Sequence, residues 1–348
     1  MTRLFGVGIV GAGVIGTVHA AAIANLADAR LVAIADPDRQ AGRTLAEAHG
    51  VSFEPSDDDL FARPEIDVVI LATPSGLHAE QTTRAAAAGK QVISEKPMAI
   101  SLAACDRMIA DCQAAGVALA VIFQNRFHRD ALLLKRAVAA GLLGQPVLAN
   151  TLVHWHRGQP YYDAGGWRGT WAVDGGGALM NQSIHTIDLL AWIMGPVASV
   201  MAEIGTLARQ IETEDTASAA LRFSGGALGT IQGTTLAASD RPARLEIVGS
   251  DGVALLEGGR LTLWDAATPL DEAALLTPVE LAATAHPAPD EALGAGHTRQ
   301  LRAIFQALQT GSQPPVSGAE ARQAVAIILA IYESARTGQR FAVAPALR

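Results

Sequence analysis

The chain is 348 residues long, half of them hydrophobic and 17% charged, with a formal net charge of -8 at pH 7. That length suits two domains, and the hydrophobic share supplies a core for each. The acidic balance, without any run of Lys and Arg, excludes a nucleic-acid surface, and no apolar stretch reaches membrane-spanning length. Cys105 and Cys112 stand seven apart in a helical pattern and match no metal or redox spacing. They read as free thiols of a reducing compartment, so a cytoplasmic location is expected.

Leu4 to Val10 is a short apolar run that passes directly into Gly11-Ala12-Gly13-Val14-Ile15-Gly16 and then turns helical. The opening therefore reads as strand, GxGxxG turn and helix, and not as the apolar core of a leader. Gly11 permits the tight turn, Gly13 lets a pyrophosphate approach the backbone, and Gly16 lets the helix lie close on the strand. The helix start at Val14 and Ile15 offers N–H groups and a positive dipole end to phosphates. Such a turn by itself often serves only packing. Here a second strand, Leu31 to Ala35, ends at Asp36, 20 residues beyond Gly16. A carboxylate there accepts from a ribose diol and repels a 2′-phosphate, which favours NAD over NADP, although Arg39 stands close by.

Helix and strand continue to alternate, with a helix over Gln40 to His49, a buried strand over Asp67 to Ala72, and a break at Thr73-Pro74-Ser75. A helix over Leu77 to Ala88, a strand over Gln91 to Ser94, a helix over Leu102 to Ala115 closed by Gly116, and a strand over Ala118 to Phe123 complete a doubly wound α/β domain. Ligands of such sheets bind beyond the carboxyl ends of the strands, which selects Thr73 to His78, Glu95-Lys96-Pro97 and Gln124 to Phe127. Lys96 points into the crevice in this reading, and partial desolvation there strengthens its charge. The other reading is a lysine capping a strand end. Pro97 fixes the backbone and admits a cis peptide.

A helix over Asp130 to Gly141 ends the alternation, and Pro146 to His156 reads as a strand with His154 and His156 on one face. Tyr161 to Trp171 is aromatic and glycine-rich, and Tyr162, Trp167 and Arg168 there suit recognition of a hydroxylated ring, or alternatively a subunit contact. Gly175-Gly176-Gly177 then opens a helix running to Gly195. Helical spacing puts Asn181, His185 and Asp188 on one side and Ile184, Ile187, Ala191 and Met194 on another. Histidine titrates nearest neutrality, so His185 suits proton transfer; a hydrogen-bonded core histidine is the bland alternative. From Ala198 onward, turns at Ser224-Gly225-Gly226, Gly249 to Gly252 and Glu257 to Gly259 mark antiparallel strands and an open sheet whose free face invites self-pairing. Thr268 to Asp290 reads as a loose surface segment, and helices over Thr298 to Thr310 and Gly318 to Thr337 close the chain, with His297 ahead of the first.

Through the glycine turn, Asp36, Ala72-Thr73-Pro74, Glu95-Lys96-Pro97 and Gly175-Gly176-Gly177 to Asp188, the chain resembles the Gfo/Idh/MocA oxidoreductases over nearly its whole length. The resemblance implies an α/β Rossmann domain with a doubly wound parallel sheet over 1–124. It implies a C-terminal α+β domain with a large open, mainly antiparallel sheet over 125–348. It also implies NAD(P)-dependent oxidation or reduction of sugars, cyclitols and related compounds, with NAD the expected cofactor and a homodimer or homotetramer formed through the open sheet. By position Lys96 is the catalytic lysine and His185 the acid/base. Gly11, Gly13, Val14, Ile15, Gly16 and Asp36 hold the dinucleotide, and Thr73, Pro74, His78, Glu95 and Asn125 lie along it. Asn181, Arg126, His154, Tyr162, Trp167 and Arg168 are expected at the substrate. Many members carry an aspartate where this chain has Asn181; branches resembling nucleotide-sugar uronate dehydrogenases carry Asn, which orients a hydroxyl but cannot act as a base. Ser183 also replaces a usual glycine. Two other readings compete: a dinucleotide-binding regulator that has lost the chemistry, and a metal site built from His154, His156 and His185, for which no further ligand is placed by sequence. No metal is expected.

Overall fold

Strand β1, Phe5–Val10, is buried along its entire length, as a central strand of a parallel sheet with both faces covered must be. Around it lie β2, Ala29–Ala35, β3, Ser52–Glu54, β4, Val68–Leu71, β5, Gln91–Ser94, and β6, Leu119–Val121, in the order β3-β2-β1-β4-β5-β6. Every pairing is parallel. The order reverses between β1 and β4, and such a switch point opens a crevice at the carboxyl ends of the strands. The structure, a computed structural model, describes residues 3–284 and 294–345. The chain forms two units, Met1–Gln124 with Pro287–Ala321, and Asn125–His286 with Arg322–Arg348.

Helix Ala295–Thr310, although it follows the second domain in sequence, lies in the first unit, where Leu301, Ile304 and Phe305 join Val7, Ile9, Ile34, Ile70 and Ile93 in one core. It packs on the first helix, Val14–Ile23. Each such side chain contributes about 1.5–3 kcal/mol on burial, which explains why an amphipathic C-terminal helix is retained by the nucleotide-binding sheet. Two short elements were not expected. β3 is three residues long on a sheet edge, and helix Asp57–Phe61 rests on Ser56, whose hydroxyl accepts from the Asp59 N–H. Cys105 and Cys112 are buried, and burial pushes the Cys112 thiol up to about 12, so it holds no reactive thiolate at neutral pH.

The second unit is built on an eight-stranded sheet of β7, Pro146–His154, β8, Val197–Gly205, β9, Thr216–Phe223, β10, Leu228–Thr234, β11, Arg244–Gly249, β12, Gly252–Glu257, β13, Arg260–Ala266, and β14, Phe341–Ala342. Their order is β13-β12-β11-β7-β10-β9-β8-β14. The sheet is mostly antiparallel, but β7 and β10 pair in parallel. The chain leaves the sheet after β7 to build the site helix and returns through β8 and β9, so β10 meets β7 running the same way. Alternate residues of β9 are buried, and the helix Ile184–Met194 packs against β7 and β11. Within the segment expected to be loose, Glu272–Leu275 and Pro278–Thr284 are helical. The side chain of Asp271 caps the first, and Thr277 and Glu280 exchange hydrogen bonds as a capping box ahead of the second. The remainder, from residue 285, lies outside the described residues. No helix among the described residues is long and apolar enough to cross a membrane.

Candidate active site

The glycine turn at the end of β1 is shaped by close approaches. Gly11 has φ of 106° and donates its N–H to the Ala35 carbonyl (2.8 Å), and a Cβ on Gly16 would lie 2.0 Å from the Gly11 oxygen. Gly13 differs, because a Cβ there would meet nothing within 4 Å. The protein itself does not need Gly13; the open volume above it is what a pyrophosphate requires, at the head of a ten-residue helix. Asp36, at the end of β2, accepts the Ala12 N–H on Oδ2 (2.6 Å) and the Asp38 N–H on Oδ1 (2.8 Å). Each oxygen keeps a lone pair for a ribose hydroxyl. The residues present therefore fit a dinucleotide. Gly16→Ala is expected to lower the melting temperature, whereas Gly13→Val leaves melting unchanged and weakens NAD binding, followed by titration calorimetry, by more than about tenfold.

Of the other residues expected along the cofactor, Thr73 and Pro74 stand where β4 ends, with Thr73 Oγ1 donating to Gln81 Oε1 (2.6 Å). His78 is buried and sets its two ring nitrogens against the carbonyls of Pro97 (2.9 Å) and Thr73 (3.0 Å). Burial holds this imidazole below its usual range against both carbonyls. The neutral ring has one N–H to donate, so His78 hydrogen-bonds one of these two strand-end loops and packs between both. Glu95 is likewise buried: Oε1 accepts from His19 Nε2 (2.8 Å) with His297 Nε2 at 3.7 Å, and Oε2 accepts the Lys96 N–H (3.0 Å). Burial works to raise its pKa, but the His19 hydrogen bond and the charges of His19, His297 and Lys96 prevail and hold it at about 2. Glu95 thus anchors the backbone of Lys96 from behind. Lys96 itself is half-buried, and its peptide to Pro97 is cis. His19, Glu95 and His297 also bring ligand atoms within 4.8 Å of one another, a cluster that sequence reasoning missed because its members lie far apart in the chain.

In the second unit, Ala178–Ser183 forms a π-helical turn ahead of the site helix Ile184–Met194. Such turns insert one residue per turn and recur at functional sites. Ser183 donates its hydroxyl to the Ala178 carbonyl (2.8 Å), and a Cβ on Gly233 would lie 2.6 Å from that hydroxyl, so the serine is accommodated by a glycine across the sheet. Asn181 and His185 are half-buried. Asn181 Nδ2 donates to Asp174 Oδ1 (2.9 Å), and Asp174 Oδ2 accepts the Gly169 N–H (2.9 Å). An aspartate at 181 would oppose two carboxylates; the amide avoids the shared proton that such a pair requires. Asp188, expected beside them, is buried instead and grips Arg126 by two hydrogen bonds of 2.7 and 2.6 Å. Arg126 is buried too, with Trp192 beneath its guanidinium. Asn125 is half-buried in the turn just before it.

Tyr162 is also committed elsewhere: it is buried and donates its hydroxyl to Thr235 Oγ1 (2.9 Å). Trp167 and Arg168 remain half-buried, and the guanidinium of Arg168 lies over the Trp167 and Tyr161 rings at 4.8 and 4.7 Å. Arg157 covers Tyr161 from 5.6 Å, and the Tyr161 hydroxyl accepts from Gln182 in the π-turn (3.3 Å). His154 is half-buried at the end of β7, while His156 is exposed with Nδ1 on the Ala237 carbonyl. Among the described residues His154, His156 and His185 form no ligand cluster, so that metal reading falls. Glu214 and Tyr332, absent from the sequence reading, meet the turn before Ala178.

Residues 5–123 match the oxidoreductase family with an NAD-binding Rossmann fold, and residues 131–255 match the GFO/IDH/MocA C-terminal domain. The WlbA dehydrogenase from Bordetella pertussis, solved in complex with NADH and UDP-GlcNAcA, superposes with a TM-score of 0.90 at 38% identity, covering 99% of each chain. A myo-inositol 2-dehydrogenase of Thermotoga maritima is 33% identical over 71% of this chain and 73% of its own. An inositol 2-dehydrogenase of Rhizobium meliloti is 30% identical over 73% and 76%. A glycine turn that fits a dinucleotide, a mostly antiparallel second sheet and these matches lead to one conclusion: the chain belongs to the GFO/IDH/MocA family and is an NAD-dependent oxidoreductase.

Proposed function

We propose that this chain oxidises a ring hydroxyl of a sugar acid carried on a nucleotide, with Lys96 and His185 handling the oxygen and its proton. The observation that carries the substrate class is the 38% identity, over 99% of both chains, to a dehydrogenase bound to UDP-GlcNAcA. Arg157 and Arg168, stacked on Tyr161 and Trp167 beside the π-turn, support it, since they offer cations and aromatic faces to an anionic, ring-bearing molecule. NAD held by Gly11, Gly13, Gly16 and Asp36 supplies the hydride acceptor. His185 accepts the hydroxyl proton as the C–H bond breaks, and Lys96 donates a hydrogen bond to the same oxygen, stabilising the developing alkoxide. Asn181, oriented by Asp174, holds a neighbouring hydroxyl. Self-association is proposed on the open face of the second sheet, where Met201 and Leu228 are exposed.

The second reading, oxidation of an uncharged cyclitol, rests on the relatives named as inositol dehydrogenases. Absorbance of reduced nicotinamide on mixing enzyme and NAD with UDP-GlcNAcA, free glucuronate or myo-inositol separates the two. Turnover of the nucleotide-linked acid at the highest kcat/KM is expected, and preference for myo-inositol overturns the proposal.

A further inference from the structure

The glycines ahead of the site helix are set against two residues, Tyr332 and Glu214, that the proposed chemistry does not use. A Cβ on Gly176 would lie 2.2 Å from the Tyr332 hydroxyl, and one on Gly177 would lie 1.9 Å from the Glu214 carbonyl oxygen. Buried Glu214 accepts the Gly177 N–H on Oε2 (3.0 Å), and on Oε1 it accepts both the Leu179 N–H (2.8 Å) and the Tyr332 hydroxyl (2.9 Å). Its backbone carbonyl takes the N–H of Ala178, the residue between (3.0 Å). Three consecutive N–H groups at the head of the π-turn thus end on one residue. A helix start leaves such donors without intrahelical acceptors, and each one left unpaired inside the protein costs about 1–3 kcal/mol.

We infer that Glu214 and Tyr332 form a buried latch that fixes the Gly176-Gly177 turn and, through it, positions Asn181 and His185 for the reaction. Both are positioning residues. The inference rests on the reading of His185 as the proton acceptor. The ionised carboxylate suits its three donors, because a protonated one would present its own O–H among them and leave one without a full acceptor. Burial pushes Glu214 up to about 7, against the lowering effect of its bonds to Leu179, Tyr332 and Gly177. The groups facing it are Tyr332 from the helix Gly318–Thr337 and, acting through Tyr332, Asp174 from the preceding loop. Neighbouring Asp215 is engaged with the N–H groups of Leu207, Ala208 and Arg209. With a folded value above the ordinary one, Glu214 contributes stability below its ordinary pKa and loses it as pH rises through about 7. The latch in its fully satisfied form is populated above that point.

The test is kcat/KM and thermal midpoint against pH for the wild type, Glu214→Gln and Tyr332→Phe. The wild-type acid limb of kcat/KM is expected to fall with two protons, one on His185 and one on Glu214. In Glu214→Gln it falls with one, kcat/KM is about 10- to 100-fold lower, and NAD affinity is unchanged. Tyr332→Phe removes a donor to the ionised carboxylate, so its limb moves to higher pH. Independently of turnover, the wild-type midpoint falls as pH rises from the ordinary carboxyl range to about 7 and levels off above it, and this component is absent in Glu214→Gln. A single-proton limb in the wild type, or profiles unchanged in both variants, overturns the latch. Retained turnover in His185→Ala refutes the proposed chemistry alone, because the midpoint profile still reports on Glu214.

Discussion

His185→Ala is expected to lower kcat by about 10²- to 10⁴-fold, the usual worth of a positioned acid/base group, with NAD affinity unchanged. His185 is half-buried at the start of the helix Ile184–Met194, so truncating it opens no large cavity and the melting temperature changes little. The residues that fit the dinucleotide, Gly11, Gly13, Gly16 and Asp36, belong to the first unit, and His185 belongs to the second. Turnover and cofactor affinity are therefore separable by one substitution. Steady-state kinetics combined with an NAD titration of the same preparation measure both. A variant within about threefold of the wild-type kcat removes His185 from proton transfer; a parallel loss of NAD affinity would mean that the residue acts on the cofactor instead.

What was legible in the sequence depended on how locally each feature is determined. The strand, glycine turn and helix at Phe5–Ile23 were readable because Gly11 and Gly16 answer to atoms a few residues away, and Asp36 follows from the strand beside them. The three glycines from Gly175 announced a turn, but their cause was out of reach. Gly176 is required by a hydroxyl at position 332 and Gly177 by a carbonyl at 214, and no local pattern connects those stretches. Counting Asn181, His185 and Asp188 at regular helical spacing assumed an unbroken α-helix. The π-turn ending at Ser183 alters the rotation of Asn181 relative to the helix that follows, and within that helix Asp188 is drawn inward by its ion pair with Arg126. The signal that could have marked Glu214 was Glu212-Thr213-Glu214-Asp215-Thr216, five polar residues in a row running into the start of β9. A run of that kind beside a strand is buried only where it has donors to satisfy.

Arg126 and Asp188 carry the second large effect, and it falls on stability. Their side chains are 8% and 3% exposed, and both carboxylate oxygens meet the guanidinium. Removing one partner from such a pair strands a buried charge at a cost of about 3–5 kcal/mol. For a unit of this size that corresponds to a fall of roughly 6 to 20 °C in the melting temperature. Asp188→Ala is the more damaging change, because it leaves a cation inside, whereas Arg126→Met with Asp188→Leu replaces both charges by apolar side chains and is expected to recover most of the loss. The double variant also separates the two roles open to Arg126. If the arginine only braces the site helix from beneath, a double variant that melts near the wild type has an unchanged substrate KM. If Arg126 binds substrate, as its place after the sixth strand suggests, KM rises by more than about tenfold although the fold is restored. The first outcome is expected, since the guanidinium is buried, joined to the Asp188 carboxylate through Nε and Nη2 and covered by Trp192.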